Sequence, residues 1–306
     1  MAETVTIIGA PMDYGADRRG VDMGPSAIRY ARLSDRLEEA GVDPVDVGDL
    51  SIPRAEARDP DVDQPAEGTA KFLREIEDVC TRLSDRVAAT LEEGAFPLVL
   101  GGDHSVAIGS IHGSAREADL GAVWFDAHAD LNTPTSSPSG NVHGMPLAAA
   151  LGRGAFAEMQ WARADRLDEG AIAYVGLRSI DDRERELVRE SEMTAFTMAD
   201  VDERGMTAVV EDALAVATDG TDGVHVSLDL DWVDPKTAPG VGTPVRGGVT
   251  YREAHAALET VSRRHERDGV VRSMDVVEVN PILDDGNETA TIAAELSTSA
   301  FGKRIL

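Results

Sequence analysis

Apolar and polar positions along this chain follow two rhythms. Short apolar runs bounded by glycine, proline or acidic residues read as buried strands at 4–10, 45–47, 97–100, 121–126, 172–177, 194–197, 223–229 and 270–277. Between them, apolar residues recur three and four positions apart, which predicts helices over 26–40, 67–93, 106–117, 181–190, 207–217, 252–265 and 288–299. Pro25 opens the first helix and Gly41 closes it, while Gly94 closes the second. Residues 51–66 are polar and proline-containing, hence a loop. Strands alternating with helices imply an α/β fold, a three-layer α/β/α arrangement with a central, mainly parallel sheet. With no composition break, linker or internal repeat, a single domain over residues 1–306 is expected.

Charge narrows the range of partners. The chain has 56 acidic residues against 29 basic ones, a net charge of −27, and only three lysines, Lys71, Lys236 and Lys303. Such a surface repels nucleic acid and anionic membranes, so neither is an expected partner. The acid excess is spread through the chain, as in a halophile's protein whose self-repulsion is tolerated only under salt screening. No apolar run approaches the ~18 residues of a spanning helix. Residues 1–5 lack the basic flank and long apolar core of a secretory signal. The single cysteine, Cys80, excludes an internal disulfide and falls in a helical pattern as a buried thiol. A cytoplasmic location is expected.

The chemistry concentrates at three strand ends. Asp126-Ala127-His128-Ala129-Asp130 follows the apolar run 122–125. In an extended segment residues two apart point the same way, so Asp126, His128 and Asp130 are expected on one face. Asp229 and Asp231 close the run 223–228, and Gly101-Gly102-Asp103-His104 ends the run 97–100. A single Asp pair at a strand end is often a turn or capping device. Together, however, Asp126, Asp130, Asp229 and Asp231 with His104 and His128 offer four carboxylates and two imidazoles beyond the carboxyl ends of parallel strands, where ligands collect. That set suffices for two divalent ions, and its oxygen-rich character favours Mn²⁺, with Fe²⁺, Co²⁺ or Zn²⁺ left open. Two such ions would strip a proton from a shared water and direct a hydroxide at an electrophilic carbon, which makes the chain a hydrolase. His112, His225, His255 and His265 lack such settings and read as helix-surface or satisfied interior histidines.

These blocks, with Ser227-Leu228-Asp229-Leu230-Asp231, Asp234-Pro235 and Glu278-Val279-Asn280-Pro281, resemble the ureohydrolase family of arginases, agmatinases and relatives. The resemblance runs from Gly9-Ala10-Pro11 and Arg19-Gly20-Val21 nearly to the end. The loop Asn132-Thr133-Pro134 with Ser137-Pro138-Ser139-Gly140-Asn141-Val142-His143-Gly144 is similar to that of the bacterial arginase branch. The resemblance implies two Mn²⁺ per subunit, the first on His104, Asp126, Asp130 and Asp229 and the second on Asp126, His128, Asp229 and Asp231. It implies hydrolysis of L-arginine to L-ornithine and urea by a metal-bridging hydroxide, and assembly as a homotrimer or homohexamer.

Substrate roles follow from the same resemblance. Glu278 would hold the guanidinium, since a carboxylate matches its fork of donors, and Thr243 would line that end of the pocket. Asn132, Ser137 and Ser139 would bind the α-carboxylate, while Asp181, assisted by Glu184, would receive the α-amino group. Acids also favour a helix start, which is the plainer account of Asp181 and Glu184. His143 would shuttle the proton that the departing amine needs, joining Asp130 and Glu278 in the catalytic set. Three places depart from commoner family patterns: Trp232, expected to reshape the cavity mouth, Ser179, and the charged connection 263–268. The alternatives are another ureohydrolase acting on agmatine or a guanidino acid, a related metal-dependent amide deacetylase, or a non-catalytic arginine-binding regulatory subunit.

Overall fold

The structure, a computed structural model, describes residues 3–16 and 19–303; the reading of the first five positions falls partly on Met1 and Ala2, outside that range. In chain order the strands are β1 (Thr4–Ala10), β2 (Asp43–Asp49), β3 (Phe96–Gly101), β4 (Leu120–Phe125), β5 (Leu167–Leu177), β6 (Thr194–Thr197), β7 (Gly223–Asp229) and β8 (Val271–Val277). The helices are α1 (Gly24–Tyr30), α2 (Leu33–Glu39), α3 (Leu73–Glu92), α4 (Val106–Ser114), α5 (Pro146–Ala150), α6 (Asp182–Glu190), α7 (Met198–Arg204), α8 (Met206–Ala217), α9 (Tyr251–Asp268) and α10 (Glu288–Ala300). The strands form one sheet in the order β2-β1-β3-β8-β7-β4-β5-β6, with every neighbouring pair parallel.

The three layers follow from residue parity. Leu98, Leu100, Val123 and Phe125 pack with α1, α2, α8, α9 and α10. Their neighbours Val99, Ala122 and Trp124 face the other way, toward α3, α4 and α5. Every residue of β3, β4 and β7 is buried, which explains the continuous apolar runs of β3 and β4: a parallel strand covered on both faces has no wet side to mark with polar residues, and the polar residues of β7 are buried as well.

Several element boundaries differ from the sequence pattern, each for a local reason. The helix expected over 26–40 is two helices, broken where Arg32 takes the left-handed conformation (φ 63°). Helix α3 begins at Leu73 rather than near 67, because the preceding backbone bonds elsewhere. Thr69 N–H donates to Pro134 O (2.8 Å), Lys71 N–H to Gly140 O (2.9 Å) and Phe72 N–H to Pro60 O (2.9 Å). Gly68 (φ 80°) fits there because a Cβ would lie 2.2 Å from the Pro134 carbonyl. The segment 68–72 thus braces the loop 134–140. The charged stretch 263–268 is the last part of α9, not a connection. Trp232 is fully buried, its ring 4.9 Å from that of Phe125, so it belongs to the core and not to a cavity mouth. Cys80 is buried. Among the described residues no helix is long and apolar enough to cross a membrane.

Candidate metal centre

Because all strands run the same way, the carboxyl ends of β3, β8, β7 and β4, adjacent in the sheet, bring their following residues to one edge. After β3 the chain turns sharply at Gly102, where a Cβ would lie 1.9 Å from Met12 O. The turn is tied by Gly102 N–H to Ala10 O (2.9 Å) and Asp103 N–H to Met12 O (2.8 Å). It delivers His104, whose backbone N–H donates to Glu278 Oε1 at 3.0 Å, joining the ends of β3 and β8.

The ligand segments converge, but not as an extended face. Residues 126–130 are irregular, with Asp130 left-handed (φ 52°), and Asp231 lies in a short 3-10 turn, Leu230–Trp232, after β7. The turns are held by the carboxylates themselves: Asp126 Oδ1 accepts from His128 N–H and Asp229 Oδ1 from Asp231 N–H, both at 2.7 Å. The expectation of a strand face is therefore corrected, while the gathering of the six side chains stands.

Two donor sets result. His104 Nδ1 lies 2.8 Å from Asp130 Oδ2, 3.1 Å from Asp229 Oδ2 and 3.3 Å from Asp126 Oδ2. His128 Nδ1 lies 3.0 Å from Asp231 Oδ2 and 3.5 Å from Asp126 Oδ1. Asp126 presents one oxygen to each set, and both sets have the spacing of cation ligands. His104 Nδ1 and Asp130 Oδ2 are buried without a hydrogen bond, although burying unpaired polar groups is costly. Ring nitrogens and carboxylates converging on a point suit a divalent cation of the Mn²⁺ or Zn²⁺ type.

Electrostatics agree. Burial opposes charge on His128, yet Asp231 and Asp126 raise its imidazole to about 12. His104 is likewise raised against its burial, chiefly by Asp130. Burial pushes Asp229 well up, reinforced by the negative charges of Asp231 and Asp126, and burial with Asp126 raises Asp130 to about 6. The centre is an excess of buried negative charge that bound cations would relieve.

A cavity of about 150 Å³ opens above these groups. His104, His128, Asp130, Asp229 and Asp231 form its floor, and Asn132, Ser137, Ser139, His143, Asp181, Glu184 and Thr243 line the rest. Ser137 Oγ accepts from Gly140 N–H (3.0 Å) and Ser139 Oγ from Asn141 N–H (3.1 Å), so each hydroxyl proton can still be donated. Asp181 caps α6, accepting from Arg183 and Glu184 N–H at 2.8 Å, and its other oxygen accepts from Asn132 Nδ2 at 3.1 Å. It is both a helix start and a wall residue. Burial and Asp130 push Glu184 up to about 7. Thr243 Oγ1 donates to Asp231 Oδ2 at 2.8 Å. Glu278, left-handed (φ 63°) and buried, stands behind His143, with Oε1 3.0 Å from His143 Nδ1. Burial lowers His143, but the bond to Glu278 outweighs it and raises the ring to about 9.

Other residues of the centre carry weaker signals in the sequence. Asn141 lines the cavity and accepts from Lys71 Nζ at 2.9 Å. Trp124 stacks on His104 (centroids 4.5 Å apart, planes at 8°) and donates Nε1–H to Asp126 Oδ2 at 3.1 Å. Its position two before Asp126 on a strand was the available signal.

Fold and site together define a three-layer α/β/α scaffold with two candidate cation-binding donor sets at the carboxyl edge of a parallel sheet. The arginase family model matches residues 3–302, and the chain belongs to that family of binuclear metal amidinohydrolases. It is 45% identical to the arginase of Bacillus caldovelox, covering 99% of each chain, and 46% identical to that of Bacillus subtilis, covering 100% of each. The native structure of the Bacillus caldovelox arginase superposes with a TM-score of 0.90 at 45% identity, over 99% of this chain and all of that one.

Proposed function

We propose that this protein is a manganese-dependent arginase, hydrolysing L-arginine to L-ornithine and urea. The observation that carries the reading is the pair of donor sets sharing Asp126 on the floor of a cavity with polar walls of two kinds. Arginases at 45–46% identity over the full length support the same substrate.

His104, Asp126, Asp130 and Asp229 would hold one ion, and Asp126, His128, Asp229 and Asp231 the other. Once bound, two divalent ions supply Lewis acidity that makes water a nucleophile near neutral pH. The chain's own residues do the rest. Glu278 Oε2, left over by the bonds at Oε1, receives the guanidinium. Thr243 orients Asp231 at the same end. Asn132, Ser137 and Ser139 donate to the α-carboxylate, while Asp181 and Glu184 accept from the α-amino group. Those neutral donors leave the charge balance at the cations undisturbed. His143, anchored through Nδ1 on Glu278, transfers a proton at Nε2 to the departing amine.

In this reading the whole chain is one catalytic domain, assembled as a homotrimer or homohexamer in the cytoplasm of a halophile. The net charge of −27 supports the need for salt. The deciding experiment strips the metal, restores Mn²⁺ in high salt, and compares urea formation from arginine, agmatine and guanidinobutyrate. Arginine should be preferred strongly. Equal or greater activity on agmatine moves the assignment to another ureohydrolase, and no urea from any of the three leaves a non-catalytic role.

A further inference from the structure

Behind the first donor set runs a buried polar chain that touches neither cation site nor substrate cavity except through His104. His104 Nε2 lies 2.7 Å from Ser227 Oγ, which donates to Asp275 Oδ1 at 2.6 Å. Asp275 Oδ2 lies 3.0 Å from His225 Nε2. His225 Nδ1 lies 2.8 Å from Ser273 Oγ, itself 2.7 Å from Ser114 Oγ. All six residues are at most 1% exposed. Sheet register builds the chain: β7 and β8 pair His225 with Ser273 and Ser227 with Asp275, and α4 adds Ser114 from the covering layer.

Proton positions follow from counting donors. Burial favours a neutral Asp275, but His225 holds its carboxyl below the usual range, so both oxygens accept. Ser227 has one hydroxyl proton, and Asp275 takes it. Ser227 Oγ can then meet His104 only as an acceptor, which puts a proton on His104 Nε2. In the neutral ring that a cation ligand must be, the lone pair is then on Nδ1, the atom facing Asp126, Asp130 and Asp229. At the far end His225 gives Nε2–H to Asp275 and accepts at Nδ1 from Ser273, whose oxygen accepts from Ser114. Every group in the chain is satisfied by one consistent direction of donation.

We propose that Asp275, braced by His225 and acting through Ser227, is a positioning residue that holds His104 as the Nε2–H tautomer and thereby sets the affinity of the first cation site. The inference rests on the metal-centre reading and extends it to residues that contact neither ion nor substrate. Partners of this kind fix the tautomer and orientation of a ligating histidine.

The test is Mn²⁺ binding to the full chain, stripped by chelation and titrated in high salt with free ion followed by electron paramagnetic resonance. Asp275→Asn keeps shape and the acceptor for His225, but its amide donates to Ser227. The Ser227 hydroxyl then turns toward His104 Nε2 and forces the proton to Nδ1. The first site should weaken roughly 10–100-fold, while the His128 site stays within about threefold. Ser227→Ala removes the acceptor with a smaller change and should weaken the same site; it carries the decision if Asp275→Asn does not fold. In the Zn²⁺-loaded wild type, ¹⁵N NMR should show a slowly exchanging His104 Nε2–H that both variants lose. First-site affinity unchanged in folded variants, or equal weakening at both sites, overturns the proposal. Failure of the wild type to take up two ions overturns the metal-centre reading itself, a distinct result.

Discussion

His104 Nδ1 and Asp130 Oδ2 lie 2.8 Å apart, both buried, and neither makes a hydrogen bond. The two atoms point at a common centre rather than pairing with each other, as ligands of one ion do. Asp126 adds the asymmetry, since its two oxygens serve different sets. Replacing Asp126 by Ala should therefore lose both ions, whereas His128→Ala should lose only the second. Metal counted by elemental analysis after gel filtration checks this; retention of one ion by Asp126→Ala contradicts the shared site.

His143 is separable from metal binding because it lies outside both donor sets. His143→Asn should reduce turnover by roughly 10²–10⁴ with metal content unchanged, the range for loss of a general acid. Undiminished turnover would remove the shuttle role. With its folded pKa of about 9 above the ordinary 6.5, His143 stabilises the metal-free fold below about pH 6.5, and that contribution fades as pH rises through 9. Loading with a diamagnetic divalent ion should lower the value seen by NMR, because positive charge nearby disfavours imidazolium.

Glu184 gives the same slope from a different cause, burial of its charged form. A carboxyl raised from 4.5 to about 7 binds more protons folded than unfolded in that interval, so stability falls as pH rises through it. In chelated protein Glu184→Gln should raise the melting temperature at about pH 8, by a free energy on the order of 3 kcal/mol, and change little near pH 4. Thermal scans at the two pH values decide, and equal shifts at both contradict the assignment.

Ser137 and Ser139 bear on substrate choice. Their oxygens already accept backbone N–H groups, which aims the hydroxyl protons away from the loop. The double change to Ala should lower kcat/KM for arginine by roughly tenfold or more while leaving agmatine, which has no carboxylate, within about threefold. Parallel losses on both substrates point instead to a collapsed loop.

Salt supplies a further check. With −27 net charge, the protein should lose structure and activity over days in dilute buffer and keep both in concentrated salt. Circular dichroism and urea assays over that time decide it.

Legibility from the sequence was uneven, and the reasons are physical. Strand ends and ligand types were readable because doubly covered parallel strands are mostly apolar, so Asp126 just after β4 and the Asp229/Asp231 pair at the end of β7 stand out. The conformations of those carboxylates were not readable. Asp130 and Glu278 are left-handed non-glycine residues, held so by surrounding contacts rather than by local preference. The start of α3 was misplaced because the 68–72 backbone bonds to a loop some 70 positions away, beyond any local window. Trp232 looked like a departure at the site and is a core residue, since burial depends on what packs over a position.

The sequence by itself determined the alternation of strands and helices, the oxygen-rich ligand types and the strongly acidic net charge, because periodicity and side-chain chemistry are local properties. Only the tertiary structure decided which oxygens Asp126 shares, that Glu278 stands behind His143, and that Asp275 and His225 reach His104 through Ser227. Those relations depend on which strands become neighbours and in what register, and strand pairing is a long-range choice that no short window encodes.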